Sequence, residues 1–239
     1  MKRFLTDKLV EWKNSKYRKP LILRGARQVG KTYILKDFAN TYYDNMTYFN
    51  FDHDSSLADL FVNTKDPKRI IEQLSFIVGR KIEPVNTLII FDEVQECLDA
   101  LNSLKYFAEE TPEYHIVAAG SLLGIKLSHT SFPVGKVDYL TLYPMTFSEF
   151  LIADGKENLV EYMKSIKEIQ EIPKIFDEQL VEQLKKYYII GGMPEVVNSW
   201  VNDKDIERVN YLQKNILQAY EDDFSKHLNA NEAIKVSLV

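Results

Sequence analysis

The sequence predicts an α/β protein in which a mainly parallel five-stranded sheet, covered by helices, is followed by a helical subdomain. Three observations predict it. A glycine-bounded turn, Gly25 to Thr32, joins a short apolar strand to a helix. Four consecutive apolar residues, Leu88 to Phe91, mark a strand buried on both faces, as parallel sheets require, and that strand ends in two acids. After Pro144 the strand signals stop, and the remaining segments repeat at helical spacing. Strands alternating with helices, then helices alone, place a first domain at residues 1–145 and a helical lid at 146–239.

Composition narrows the class. A chain of 239 residues with 45% hydrophobic and 27% charged residues can bury a sizeable core and is ordinary for a globular protein. A net charge of -5 argues against a broadly basic nucleic-acid surface. Cys97 is the only cysteine, which excludes an internal disulfide and a cysteine zinc site. The basic N-terminus is too interrupted by charge for a secretory signal, and no run approaches the ~18 apolar residues of a membrane helix. These readings favour a cytoplasmic protein without a membrane segment.

In chain order, Leu5, Leu9, Val10 and Trp12 predict an amphipathic helix over Phe4 to Asn14, and Pro20 opens the first strand. The turn that follows fits G-x-x-x-x-G-K-[ST] through Gly25, Gly30, Lys31 and Thr32, a phosphate-binding loop. Gly25 and Gly30 let the backbone amides of the loop, from Ala26, Arg27, Gln28 and Val29 onward to Tyr33, turn inward around a polyphosphate. The helix beginning near Lys31 directs its N-terminal dipole at the same charges. Lys31 adds a full positive charge, and the Thr32 hydroxyl can hold Mg2+. A plain glycine-rich turn is the alternative, and the strand before and helix after it favour the loop.

The helix continues to about Asn40, and β-forming residues from Met46 to Asp52 predict the second strand. Asp52, His53 and Asp54 read as turn residues in preference to a metal cluster. A helix over Pro67 to Val78 precedes the apolar strand, Asn86 to Val94. Its terminal acids lie where open α/β sheets bind ligands. Asp92 is expected to hold Mg2+, through water or together with Thr32, and Glu93 to orient and deprotonate an attacking water. A helix over Leu98 to Glu110 leads to a strand over Tyr114 to Ser121. Ser121 reads equally as an N-cap for a following short helix and as a sensor of the terminal phosphate. Val137 to Tyr143 is the last strand.

Thr146 and Glu149 then spell a capping box before a helix ending near Ala153. Further helices are predicted over Leu159 to Ile169, Ile175 to Ile190, Pro194 to Val201 and Ile206 to His227. Gly191, Gly192 and Pro194 read as a glycine stop followed by proline in the next first turn. Glu221, Asp222 and Asp223 read as a solvated face.

With both signatures, Ser121, LYPMTFSEF (Leu142 to Phe150) and GGMPEVV (Gly191 to Val197) in this order, the chain resembles the prokaryotic AAA-type P-loop ATPases called AAA_14, which often carry a C-terminal DUF4143 region. The resemblance covers nearly the whole chain. It implies the three-layer P-loop NTPase fold, ATP or ADP and Mg2+ as cofactors, and a cycle that moves the helical lid. It assigns phosphate and metal binding to Lys31 and Thr32, the metal carboxylate to Asp92, the base to Glu93, the first sensor to Ser121, and an adenine contact to Pro194. Relatives commonly have Gly-Arg before the last strand, where this chain has Gly135 and Lys136, so a transition-state arginine from that position is in question. Relatives also continue into a further domain, so AIKVSLV at the C-terminus would mark a truncated edge and a docking face for that domain or for an unidentified protein partner. The leading expectation is a Mg2+-dependent ATPase acting as a switch. The alternatives are a nucleotide-gated scaffold with little turnover, and a small-molecule kinase, which lacks the arginine run expected of its lid. Nucleic-acid association finds no basic stripe in support, and the oligomeric state is left open.

Overall fold

The computed structural model describes residues 1–121 and 135–227 of the chain. The described contacts divide into two units, one comprising residues 4–26 and 30–143, the other residues 1–3, 27–29 and 144 onward.

The first unit is built on a five-stranded sheet, β1 (Leu21–Arg24), β2 (Asn45–Asn50), β3 (Thr87–Asp92), β4 (His115–Gly120) and β5 (Asp138–Thr141), in the order β2-β3-β4-β1-β5. Every described pairing is parallel, so the mainly parallel sheet expected from sequence is wholly parallel here. All six residues of β3 and all six of β4 are buried, which is why their sequences run apolar without alternation. Edge strand β2 instead alternates, with Thr47 and Phe49 inside and Tyr48 and Asn50 on the more open face.

Helices α1 (Leu5–Asn14), α2 (Lys31–Tyr42), α3 (Leu57–Asn63), α4 (Pro67–Val78) and α5 (Leu98–Glu110) complete the described part of this unit. The α3–α5 side is filled by Phe49, Phe51, Phe61, Phe91 and Phe107 with Ile70, Leu74 and Leu104. Helix α4 is bounded as its sequence demands: Asp66 caps the Lys68 amide, Pro67 occupies the first turn, and Gly79 ends the helix at φ 68°. Helix α3 was not anticipated, because seven residues are too few to be helical alone. Its place is set by Leu57 and Phe61, the latter edge-on to Phe51 and Phe91. At the amino edge of the sheet His115 is buried, its Nδ1 2.7 Å from the Tyr43 hydroxyl. Burial, reinforced by Arg18 and Lys13, holds its pKa down to about 4, so the ring is a neutral core group.

The second unit is helical after Pro144: α6 (Phe147–Ala153), α7 (Glu157–Ser165), α8 (Lys174–Ile190), α9 (Pro194–Asp203) and α10 (Ile206–His227). The capping box at Thr146 and Glu149 is formed in both directions. Glu149 also accepts from Arg3 Nε at 3.1 Å, and Arg3 Nη1 donates to the Val29 carbonyl at 3.0 Å, a buried ion pair that holds the N-terminus in this unit. The predicted helix from Leu159 to Ile169 stops at Ser165, where the next residue is extended.

The two glycines after α8 serve different ends. Gly191 turns the chain at φ 75°, as a glycine stop should. Gly192 is glycine because the backbone at Met145 comes too close: a Cβ there would lie 2.3 Å from the Met145 carbonyl oxygen, and the Met145 amide donates to the Gly192 carbonyl at 2.7 Å. Backbone cannot swing aside as a side-chain tip would. Gly192→Ala is therefore expected to destabilise the helical unit by about 1–3 kcal/mol. A lowered melting midpoint followed by circular dichroism checks this, and an unchanged midpoint would contradict the close approach.

Candidate nucleotide site

The site is assembled at the carboxyl edge of the parallel sheet. Strand β1 ends at Arg24 and gives way to the loop, in which Gln28 and Gly30 take left-handed conformations at φ 63° and φ 92°. Gly30 is also the residue immediately before α2, so the loop delivers its amides straight into a helix N-terminus. The glycine pattern alone does not reveal the positive φ of Gln28, which a side-chain-bearing residue adopts at some strain.

Lys31 opens α2 and is only 6% exposed. Its Nζ donates to the carbonyls of Gly25 at 2.9 Å and Ala26 at 2.8 Å, which holds the ammonium inside the curl of the loop. Val29 is fully buried and anchors the loop, while Ala26, Arg27 and Gln28 are exposed along its rim. Tyr33 lies exposed in the first turn of α2.

Across the sheet, β3 presents Asp92 and Glu93. Asp92 is 2% exposed, and three donors hold it: Thr32 Oγ1 at 2.7 Å and the Tyr48 hydroxyl at 2.8 Å, both on Oδ2, and the Glu93 amide at 3.0 Å on Oδ1. The structure thus joins the loop threonine to the strand-end aspartate. These two groups offer hard oxygen ligands side by side, a donor set that suits Mg2+, which takes one or two protein oxygens and completes its shell with water and phosphate. Among the described residues no group of three or more His, Cys, Asp or Glu side chains could form an all-protein metal cage. Asp52, His53 and Asp54 follow β2 in a turn, where the Asp52 and His53 amides donate to Asn50 Oδ1.

Glu93 is left-handed at φ 51°, an uncommon conformation for a residue with a side chain. It leaves the strand at a sharp corner, and its carboxylate is steadied by the amide of Gln95, a buried residue in the single turn Val94–Glu96. Neither Gln95 nor Tyr48 belongs to a recognisable motif. Burial, with the neighbouring Asp92 and Glu93 adding to it against the Asn50 hydrogen bond, pushes the Tyr48 phenol up to about 12, so it acts as a donor at neutral pH.

Strand β4 lies between β1 and β3, with Gly120 beside Arg24. Ser121 follows it directly, at the same edge as the loop and the acid pair. Its Oγ is buried without a hydrogen-bond partner among the described residues. The short helix that Ser121 would cap falls outside the described residues.

The other residues of interest lie elsewhere. Pro194 stands in the first turn of α9 in the helical unit, where its helix-initiating role is evident. Lys136 precedes β5 at the amino edge of the sheet, opposite the loop, and pairs with Glu109 at 2.7 Å. Asp223 is not part of a solvated face: it is buried and lies 2.8 Å from Arg27 Nη2, while Tyr220 donates to the Arg27 carbonyl at 2.7 Å. Arg24, at the end of β1, places its guanidinium 4.0 Å over the Tyr139 ring.

The profile of AAA_14, described as an AAA domain, matches residues 17–151, more than half of the chain. The chain belongs to the AAA_14 family. The C-terminal part of this AAA domain protein, expected to relate to DUF4143, instead matches DUF8612, a domain of unknown function, over residues 181–239. Among solved structures, the Walker-type ATPase PABY2304 of Pyrococcus abyssi is similar at a TM-score of 0.58 and 15% identity, covering 93% of this chain and 74% of that one. At that identity the likeness speaks for the fold. AMPPCP-bound DnaA from Aquifex aeolicus matches at a TM-score of 0.44 and 14% identity, over 90% of this chain and 65% of that one. PCH-2 from C. elegans matches at 0.42 and 14%, over 84% and 60%. No curated protein matches. Membership makes this a domain of the nucleotide-binding ATPase class, and among the described residues no helix is long and apolar enough to cross a membrane.

Proposed function

We propose that this AAA_14 protein binds ATP with Mg2+, hydrolyses its terminal anhydride, and uses the change from triphosphate to diphosphate as a switch. The observation that carries the reading is the bond from Thr32 to Asp92, with Glu93 turned out of the strand immediately beyond. Loop amides and the Lys31 ammonium neutralise the phosphate oxygens as charge moves toward the leaving group. Mg2+, when bound beside Thr32 and Asp92, supplies further charge neutralisation. Glu93 accepts the proton of a water aligned with the terminal phosphorus, and Gln95 fixes the carboxylate from behind. Ser121 offers its hydroxyl to the terminal phosphate, and Pro194 is assigned to the adenine side.

Isothermal calorimetry with Mg-ADP and Mg-ATP on folded protein tests the binding half of this reading, and phosphate release tests the turnover half. Saturable heat with both nucleotides is expected. Absence of heat with either would end it.

One observation favours a second reading, a nucleotide-gated scaffold with little turnover. Lys136, the only cation at the position where relatives carry arginine, is held by Glu109 at the opposite edge of the sheet. P-loop proteins without a supplied arginine are slower by about a thousandfold or more. Tight nucleotide binding with phosphate release at the background rate would select the scaffold.

A further inference from the structure

Strand β2 lies at the edge of the sheet beside β3, with Asn50 level with Asp92 and Tyr48 level with Ile90. Alternation puts Tyr48, Asn50 and Asp92 on one face, so the phenol reaches diagonally along the sheet to the carboxylate. Its ring is held from outside by Lys36, whose Nζ stands 3.9 Å over it. Its oxygen accepts from Asn50 Nδ2 at 3.2 Å while its proton goes to Asp92 Oδ2 at 2.8 Å. Asn50 in turn takes the amides of Asp52 and His53 on its own oxygen. A continuous chain of hydrogen bonds therefore runs from the turn after β2, through Asn50 and Tyr48, into the carboxylate at the end of β3.

We propose that Tyr48 is a positioning residue for cation binding: its hydroxyl fixes the Asp92 carboxylate in the orientation that accepts Mg2+ beside the nucleotide. This rests on the reading of Thr32 and Asp92 as the metal pair. Asp92 is too buried for solvent to replace a lost donor readily, so the bonds it receives from protein set its plane. Thr32 cannot do this alone, since its one hydroxyl must both donate to Asp92 and offer a lone pair to the cation. The Glu93 amide fixes the other oxygen, Oδ1. Removing the Tyr48 hydroxyl takes away one of the two side-chain donors on Oδ2, leaving Thr32 there and the Glu93 amide on Oδ1, and loosens the carboxylate about the metal position. Outer partners of metal ligands typically change metal affinity by about 10–100-fold.

The test uses Tyr48→Phe in the full chain, which keeps the ring under Lys36 and removes only the hydroxyl. ADP affinity is measured by calorimetry in saturating Mg2+ and in EDTA, for the wild-type and variant proteins. The expected result is that affinity in EDTA changes by no more than about twofold, while the tightening given by Mg2+ falls about tenfold. An equal loss with and without Mg2+ would assign Tyr48 a merely structural role and overturn the proposal. So would a Mg2+ effect identical to wild type. Wild-type protein that binds ADP indifferently to Mg2+ also overturns it, whereas wild-type protein that binds no ADP at all defeats the underlying nucleotide reading instead.

Discussion

Replacing Lys31 by alanine is expected to weaken ADP and ATP binding by at least about a hundredfold, read by calorimetry against the wild-type protein. The expectation follows from where the ammonium sits. It is the first residue of α2, nearly buried, and donates to two carbonyls of the loop proposed to surround the phosphates. A charge-assisted hydrogen bond to an anion contributes about 1.5–3 kcal/mol, and a lysine meeting two phosphate oxygens makes more than one. At about 1.4 kcal/mol for each tenfold, loss of the ammonium amounts to roughly two orders of magnitude or more. The substitution also removes the brace between Lys31 and the carbonyls of Gly25 and Ala26, so the loop loses preorganisation as well as charge. Lys31→Arg separates these effects: it restores the charge, but its larger planar head cannot occupy the same point between two carbonyls. Partial recovery in the arginine variant is expected. Affinity unchanged in Lys31→Ala would mean that phosphate is not held by this loop.

What the sequence disclosed and what it withheld divide along the range of the interactions. The loop, its helix and the apolar strand before Asp92 are local statements: spacing of glycines, a lysine and threonine at a helix start, and an uninterrupted apolar run each fix their own neighbourhood. The Thr32 to Asp92 bond joins two groups that separate local signatures each assign to the same Mg2+, although neither signature names the other residue as a partner. Tyr48 was not. In MTYFNFD it is one β-forming residue among several, and only the register of β2 on β3 brings its hydroxyl to Asp92. Gln95 was hidden for a related reason, since it serves Glu93 through a single helical turn that follows a left-handed corner. Asp223 looked like one of three solvated acids, and nothing near it in sequence announces Arg27 as its partner almost two hundred residues earlier. Gly192 was explained by a local rule when a distant backbone, at Met145, is what forbids a side chain there. The structural errors are thus errors of partner, and the correct inferences are those whose partners lie within one motif or between two recognisable ones.

Glu93→Gln is expected to reduce the maximal rate of phosphate release by about a hundred- to ten-thousandfold, the usual contribution of a positioned general base. ATP affinity is expected to stay within about threefold. Under the proposed function the two expectations separate, because Glu93 would act on water whereas Lys31, Thr32 and the loop amides would hold the phosphates. Glutamine is the informative replacement. It has the shape of glutamate, keeps an oxygen for the amide of Gln95, and should tolerate the left-handed corner at φ 51° about as well as glutamate does. What it lacks is a basic oxygen to take the water proton. The same substitution therefore distinguishes the two readings of the protein. If Glu93 is the base, rapid mixing with ATP should give a stable complex in which the nucleotide recovered after many wild-type turnover times is still ATP. If the protein is a scaffold, wild type and variant should release phosphate at the same low rate and bind ATP equally well. Loss of ATP binding together with turnover would fit neither, and would show that the Glu93 corner shapes the phosphate site itself; in that case Asp92, whose Oδ1 accepts the Glu93 amide, is the group through which the disturbance must travel.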